Sequence, residues 1–416
     1  MKKILVAVAA LVAGSTWAGV TVTSFTQNAN SLKVTVNYTL DAPAIVTADF
    51  QKKVDGVFKS IGEERFTKLS GDVNRYIETT GAHTLYWMPD EGDVSGETIT
   101  PDNFKVVLSA WAKDDPPDYC AVNLATSNSI FYYTSAKAVP GGVGDVAYKT
   151  EFLLMRRIPA KNVTWKMGSP ATEALRSDNE TQHEVTLDAD YYIGVYEFTQ
   201  AQRSHTNTGY GNSYTSFDES LLLPDAGCAY NTIRGDLGQA NWPTKAHTVY
   251  AGSVMGKLCK RTGVEFDLPT EAQWEFACRA GVGSQWNNSE LAAEDANTAN
   301  NLLKNYAYMG YNNHPCDAST ASCGPVGSFA PNAFGLYDMH GNVREWCNDY
   351  YVADLGSEAV SNPVGPNSGS TRVVRGGGYS SSASECRCAY RAGSSELAGA
   401  NAYMGFRVMA PLSLKW

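Results

Sequence analysis

The sequence has no cluster of cysteines and histidines spaced for zinc and no recognisable hydrolytic motif. Its nine cysteines include no Cys-x-x-Cys pair, and its six histidines are scattered along the chain. This spacing excludes a zinc site of the usual sequence pattern. We also find no Ser-His-Asp arrangement and no pair of carboxylates placed for acid–base catalysis, so the sequence offers no support for a hydrolase or a glycosidase.

Charged residues are few, and the positive ones are outnumbered. They make up 18% of the 416 residues, with a net charge of −10. This acidic excess argues against nucleic acid and anionic membrane surfaces as partners. It leaves proteins, glycans and small molecules as candidate partners. The hydrophobic content of 43% is enough for a sizeable core in two or three domains.

The first 18 residues have the pattern of a secretory signal. Lys2 and Lys3 precede an apolar run over residues 4–13, and small residues lead to Ala18. A membrane anchor is the alternative, but this run is too short to span a bilayer and no apolar run of ~20 residues follows it. We therefore expect cleavage after residue 18 and a secreted or periplasmic protein without a membrane span. Loss of the two lysines would change the net charge from −10 to −12.

All nine cysteines lie in the expected mature chain. In an oxidising compartment some should pair, and the odd number leaves at least one thiol free or intermolecular. Cys316 and Cys323 are close enough in sequence to bridge a local loop.

Residues 19–138 have the alternation of half-buried strands. In residues 31–40, Leu32, Val34, Val36, Tyr38 and Leu40 share one face, with polar residues on the other. Similar patterns occur over residues 44–50, 84–87 and 104–111. Several short strands separated by turns predict a small all-β sandwich that acts as a spacer or a binding module.

Residues 139–147, which begin Val-Pro-Gly-Gly-Val-Gly, predict a linker, and residues 148–416 a second domain. Thr199 and Thr270 each begin a capping box with a glutamine three residues later. A further helix is expected over residues 250–260 and a strand over residues 371–375. Short strands and glycine-rich loops between few helices predict a loop-rich α+β fold.

Several stretches of this second domain resemble the formylglycine-generating enzyme, or sulfatase-modifying factor, family. They cover about residues 148–408 in the family's order. The stretches are IP (158–159), WKMGS (165–169), YIGVYEFTQ (192–200), LPTEAQWEF (268–276), NAFGLYDMHGNVREW (332–346), RGGGY (375–379) and GFRV (405–408). The resemblance implies an elaborated C-type-lectin-like α+β fold. Within it we expect Trp274, Trp346, Tyr337 and Phe406 in the core, and Arg407 as a loop anchor.

The resemblance also implies a calcium site. In the family this stretch binds calcium, and the four positions correspond here to Asp338, Gly341, Val343 and Glu345. Two carboxylates interleaved with backbone carbonyls on one tight loop are the oxygen ligands that Ca²⁺ requires. The alternative is that Asp338 and Glu345 only cap turns or pair with arginines.

The same resemblance argues against the family's copper chemistry. The family's oxidase binds Cu(I) through two cysteines five residues apart, just after its GGSY element. Here the second position is Cys386, the one weak candidate for a catalytic residue, but the first is Ser381. A serine hydroxyl is a hard ligand and does not replace a thiolate for Cu(I). At two nearby positions where the family has a serine and a tryptophan, this chain has Gly378 and Arg344.

Two other cysteines match a family disulfide, which implies a Cys278–Cys388 bridge. A second family bridge would join Cys259 to a position that is Val408 here, so it is absent. A copper pair of Cys386 and Cys388, two residues apart, is the less favoured alternative.

Two functions remain open from the sequence. The first is an extracellular binding or structural module of this family without the copper site, with a protein, peptide or glycan ligand. The second is a formylglycine-generating oxidase that converts a sulfatase cysteine to formylglycine.

Overall fold

The protein is described by a computed structural model. It describes residues 18–28, 30–66, 68–90, 98–127, 129–206, 221–235, 247–288, 291–310, 323–395, 397, 403–412 and 414. The signal segment, except Ala18, and Cys316 of the expected local bridge lie outside these residues. Within them no helix is both long and apolar enough to cross a membrane.

The chain divides into two compact units. The first comprises residues 1–121 and 130–145, and the second residues 122–129 and 146–416. Short 3₁₀ helices lie at both ends of the expected linker, Ala136–Ala138 and Val146–Lys149. The domain boundaries expected from the sequence stay predictions.

The first unit is built from strands. They are β1 Val20–Gln27, β2 Val34–Leu40, β3 Ala44–Val54, β4 Val57–Ser60, β5 Leu69–Gly71, β6 Arg75–Ile77, β7 Gly81–Trp87, β8 Phe104–Trp111, β9 Tyr119–Asn123 (whose last two residues belong to the second unit) and β10 Ile130–Tyr133. One sheet has the order β1-β2-β7-β5, and in another β3 pairs with β4, β6 and β8.

The buried faces of these two sheets form one hydrophobic cluster. The alternation expected in β2 is confirmed, since Val34, Val36 and Tyr38 are fully buried. Leu32 is outside the strand, in a left-handed turn conformation with a φ of 57°. The two sheets agree with an all-β unit, and the sandwich arrangement stays a prediction.

The second unit mixes short strands and helices, which confirms the expected loop-rich α+β class. Its strands are β11 Phe152–Ile158, β12 Val163–Met167, β13 His183–Leu187, β14 Tyr191–Gly194, β15 Arg344–Tyr350, β16 Val360–Ser361, β17 Arg372–Arg375, β18 Ala392–Ser394, β19 Met404–Gly405 and β20 Met409–Pro411. Its helices are α1 Gln200–Ser204, α2 Tyr230–Ile233, α3 Val254–Thr262, α4 Glu271–Arg279 and α5 Ala296–Leu303.

Local sequence signals account for the helix ends. Both expected capping boxes form, at Thr199 and at Thr270. The helix expected over residues 250–260 starts later, because Ser253 accepts a hydrogen bond from Gly256 and so caps α3 at Val254. That helix ends at Gly263, whose φ of 80° favours glycine.

Helix α4 lies in the core of the second unit. Trp274, Ala277 and Cys278 are completely buried in one cluster with residues of β13, β14, β15 and β17. The central sheet has the order β18-β17-β15-β19. Because β15 begins directly after residues 338–343, this packing fixes the position of the loop that carries the expected calcium ligands.

Candidate functional site

The start of β15 is held by a buried ion pair. Glu345 accepts from Trp274 Nε1 at 2.7 Å and from Arg407 Nη2 at 2.9 Å. Arg407 is completely buried and also donates to the carbonyls of Gly194 and Val195, each at 2.9 Å. These contacts confirm that Arg407 anchors loops.

The loop before β15 is tightly turned. Asp338 and Asn342 have φ values of 62° and 63°. A Cβ atom on Gly341 would lie 2.0 Å from the carbonyl oxygen of Tyr308, so only glycine fits at this close approach. Asp338 accepts from the backbone N–H of Gly327 at 2.6 Å. The four expected ligand positions are therefore gathered on one rigid turn.

A third carboxylate, missed by the sequence reasoning, joins this turn. Glu197 is completely buried and accepts from the backbone N–H of Val343 at 3.0 Å and from Asn342 Nδ2 at 2.6 Å. Burial raises the pKa of Glu197 well above its usual range, and the carboxylates of Asp338 and Glu345 raise it further. Its only sequence signal was a single acid between apolar residues, Tyr196 and Phe198.

The pKa of a second carboxylate in this cluster is also raised. Burial likewise raises the pKa of Asp338 to about 6, and Glu345 adds to this, while Arg407 and Lys149 oppose it. Of these cations only Arg407 pairs directly with a carboxylate of the cluster among the described contacts. Carboxylate oxygens are the donors that a hard divalent cation prefers, and this cluster supplies three carboxylates beside a single ion-paired arginine.

One expected core aromatic is less buried than the sequence suggested. Trp274, Trp346 and Phe406 are completely buried. Tyr337 is only partly buried, and its ring stacks on Tyr196 with centroids 4.9 Å apart. Tyr337 adjoins Asp338. Its ring therefore lies at the edge of residues 338–345, which we call the acidic turn, rather than in the core.

The position expected for the first copper ligand is occupied by a polar network. Ser381 Oγ accepts from Arg344 Nη2 and from the backbone N–H of Gly378, each at 3.2 Å. The same Nη2 donates to Glu385 at 2.7 Å. A guanidinium beside a serine does not fit Cu(I), because the hydroxyl is a hard ligand and the positive charge repels the cation.

Cys386, the weak catalytic candidate, is completely buried at the end of a 3₁₀ helix, Ala383–Cys386. It packs in a cluster with Trp286, Leu303 and Met309. Burial and the nearby Glu385 carboxylate raise the pKa of its thiol well above the usual range. A buried, protonated thiol lacks the exposed thiolate of a reactive cysteine.

Cys278 and Cys388 lie side by side, as the resemblance implied, with their sulfur atoms 3.7 Å apart. Both are free thiols at this distance. A disulfide bond would need the sulfurs at about 2.05 Å, so the bridge stays a prediction. Cys259 has a local role instead, since its sulfur accepts the backbone N–H of Phe266 at 3.2 Å.

A pair of tyrosines, one exposed and one half-buried, lies next to Arg344. The rings of Tyr379 and Tyr403 are 5.2 Å apart, and Tyr403 is 41% exposed. The backbone N–H of Arg344 donates to the carbonyl of Tyr403, and that of Tyr379 donates to the carbonyl of Asn342, at 2.8 and 2.7 Å. We call Arg344, Glu385, Tyr379 and Tyr403 the tyrosine–arginine patch. Its backbone is hydrogen-bonded to the acidic turn.

Comparison with known proteins agrees with the sequence resemblance. Residues 155–412 match the family model described as the sulfatase-modifying factor enzyme 1-like domain. The chain is 28% identical over 305 residues to the formylglycine-generating enzyme of Bos taurus, covering 66% of this chain and 77% of the relative. It is 31% identical over 220 residues to the chaperone protein LppX of Paenibacillus barcinonensis, covering 50% of this chain and 75% of the relative.

Among solved structures, PvdO from Pseudomonas aeruginosa is similar, with a TM-score of 0.47 and 21% identity. The match covers 62% of this chain and 94% of that one. The family model alone spans more than half of the chain. The chain therefore belongs to the sulfatase-modifying factor enzyme 1-like family.

Proposed function

We propose that this protein is a non-catalytic member of its family, exported from the cytoplasm, that binds a protein, peptide or glycan ligand. The observation that carries the proposal is the contact of Arg344 with Ser381 and Glu385. This network puts a cation and a hydroxyl where the resemblance places a copper thiolate. The export part rests on the basic and apolar pattern of residues 1–18.

The alternative, a formylglycine-generating oxidase, would depend on Cys386 as the remaining thiol of the pair. That thiol packs among apolar side chains and is completely buried. A substrate cysteine therefore has no exposed sulfur to approach. The relative named a chaperone protein is in keeping with a binding role for such a domain.

The tyrosine–arginine patch is the surface on which we place ligand binding. Tyr403 is 41% exposed, and the side chains of Arg344 and Glu385 are 24% and 30% exposed. Aromatic faces beside a planar guanidinium and a carboxylate suit both stacking and directed hydrogen bonds, which are the contacts that sugar rings and peptide groups require.

We further propose that Ca²⁺ binds beneath this patch. Its ligands would be the carboxylates of Glu197, Asp338 and Glu345 and the carbonyls of Gly341 and Val343. The ion would offset the negative charge of the turn. Because Asn342 O accepts from Tyr379 N at 2.7 Å, calcium would also hold the patch in position.

Calcium affinity should rise with pH. Asp338 must lose its proton to bind the ion, and in the calcium-free protein its pKa is about 6. The apparent affinity measured by calorimetric titration should therefore be at least about tenfold lower at pH 5 than at pH 7. An affinity that changes by less than about twofold would contradict a role for Asp338.

The calcium-free protein should show the opposite dependence in its stability. The pKa of Asp338 in the folded state is raised from 3.8 to about 6, so the native state holds more protons than the unfolded chain between these values. Its contribution to stability is present below about pH 4 and is lost as the pH rises to about 6. Urea unfolding in chelator at both pH values measures this loss.

Binding can be tested on glycan and peptide arrays with the full chain in calcium. We expect selective binding that falls at least tenfold in Tyr403→Ala and is unchanged in Tyr306→Ala, a matched variant at a tyrosine 46% exposed. Binding to no member of either array, or an equal loss in both variants, would contradict the patch as a ligand surface.

A further inference from the structure

A second cluster of metal-binding side chains lies in the core, and one of its members, His340, belongs to the same loop as Asp338 and Gly341. Cys278 lies in the last turn of α4, and His340 lies in the loop before β15. Cys388 follows the 3₁₀ helix at Ala383–Cys386. Their donor atoms all lie within 4.8 Å of one another, and all three residues are buried. We propose that Cys278, His340 and Cys388 bind a zinc ion.

The sulfur–sulfur distance fits this role. Two thiolates on a tetrahedral zinc ion, each with a Zn–S bond of about 2.3 Å, lie about 3.8 Å apart. The observed distance between Cys278 Sγ and Cys388 Sγ is 3.7 Å. The carbonyl oxygen of Met339, also 3.7 Å from Cys278 Sγ, is the nearest described candidate for a fourth ligand.

The histidine has the second contact that zinc ligands usually have. His340 Nδ1 lies 2.7 Å from the carbonyl oxygen of Cys386, so it carries the proton and donates there. A backbone carbonyl in this place fixes the tautomer and leaves Nε2 for the metal.

Zinc binding would replace one hydrogen bond. His340 Nε2 accepts from the backbone N–H of Asn287 at 3.1 Å. The metal would take this lone pair, and Asn287 N–H would need a new acceptor. Asn287 lies in a bend rather than in a helix or strand, so its backbone is held by no ladder of hydrogen bonds.

Two arginines lie close to the thiols. Burial and the neighbouring Cys388 raise the pKa of the Cys278 thiol well above its usual range, and the guanidinium groups of Arg279 and Arg375 oppose this only in part. Arg375 also donates to the carbonyl of Cys388 at 3.1 Å. Zn²⁺ with two thiolates and a neutral imidazole has no net charge, so the filled site adds no uncompensated charge to the core.

A zinc ion and a Cys278–Cys388 disulfide exclude each other, because both use the same two sulfurs.

The full chain should be purified without chelator and weighed by native mass spectrometry. We expect one zinc ion per chain. Replacement by Co²⁺ should give a thiolate-to-cobalt charge-transfer band in the near ultraviolet.

Cys388→Ser and His340→Gln should each weaken zinc binding at least about 100-fold. Cys120→Ser, a matched change at a buried cysteine of the first unit, should leave it unchanged. The wild-type cobalt spectrum does not depend on how the variants fold. Recovery of a Cys278–Cys388 disulfide peptide from the native protein, or no cobalt band after reduction, would overturn the proposal.

Discussion

Replacing Glu275 with alanine should lower the free energy of unfolding of the second unit by about 4 kcal/mol or more. Glu275 is completely buried and faces two arginines. It pairs with Arg279 at 2.8 Å and with Arg375, and it accepts from the backbone N–H of Gly168 at 2.9 Å. Its removal would leave two buried cations without their shared anion.

The size of this effect distinguishes buried from exposed ion pairs. Glu184→Ala, in the same unit, breaks a pair with Lys166 whose side chains are 50% and 59% exposed. That change should cost no more than about 1 kcal/mol. Urea unfolding of the full chain, followed by tryptophan fluorescence, compares the two variants. A loss below about 1 kcal/mol in Glu275→Ala would show that the arginines find other partners.

Chelating calcium at pH 7.5 should lower the melting temperature of the second unit by about 5–10 °C. Calcium at 100 times its dissociation constant would stabilise the native state by about 2.7 kcal/mol. For a unit of this size, each kcal/mol changes the melting temperature by about 2–4 °C. The ion would stabilise the turn because it offsets the repulsion among Glu197, Asp338 and Glu345.

Two matched variants separate this effect from general salt effects. Glu197→Gln keeps the shape of the buried side chain but removes the carboxylate that would bind the ion. Its melting temperature should differ by less than about 2 °C with and without chelator. Glu184→Gln, at an exposed acid, should keep the full calcium dependence. A wild-type protein that melts at the same temperature with and without chelator would contradict the calcium site.

Local signals in the sequence predicted the family and several elements of the fold. The capping boxes at Thr199 and Thr270 depend only on residues three apart, and both form as expected. Strand β2 was predicted because a period of two needs only neighbouring residues. The predicted start of α3 was wrong because apolar residues also precede Ser253, the residue that caps the helix.

The site was harder to predict because its members come from distant segments. Glu197 contacts Val343 across 146 residues, and no spacing rule joins them. The same is true of Cys278 and Cys388, separated by 110 residues, where only the resemblance suggested proximity. The contact between Arg344 and Ser381 was also invisible, although both were identified as departures from the family pattern.

The central claim is that this member of the family does not carry out copper-dependent oxidation. Its most direct test is the mass of a peptide containing Cys-x-Pro-x-Arg after aerobic incubation with the full chain and one equivalent of Cu(I). We predict that the peptide keeps its cysteine to the same extent as in copper alone, in wild type and in Cys386→Ser. Conversion of the cysteine to formylglycine over several turnovers, lost in Cys386→Ser, would contradict the claim.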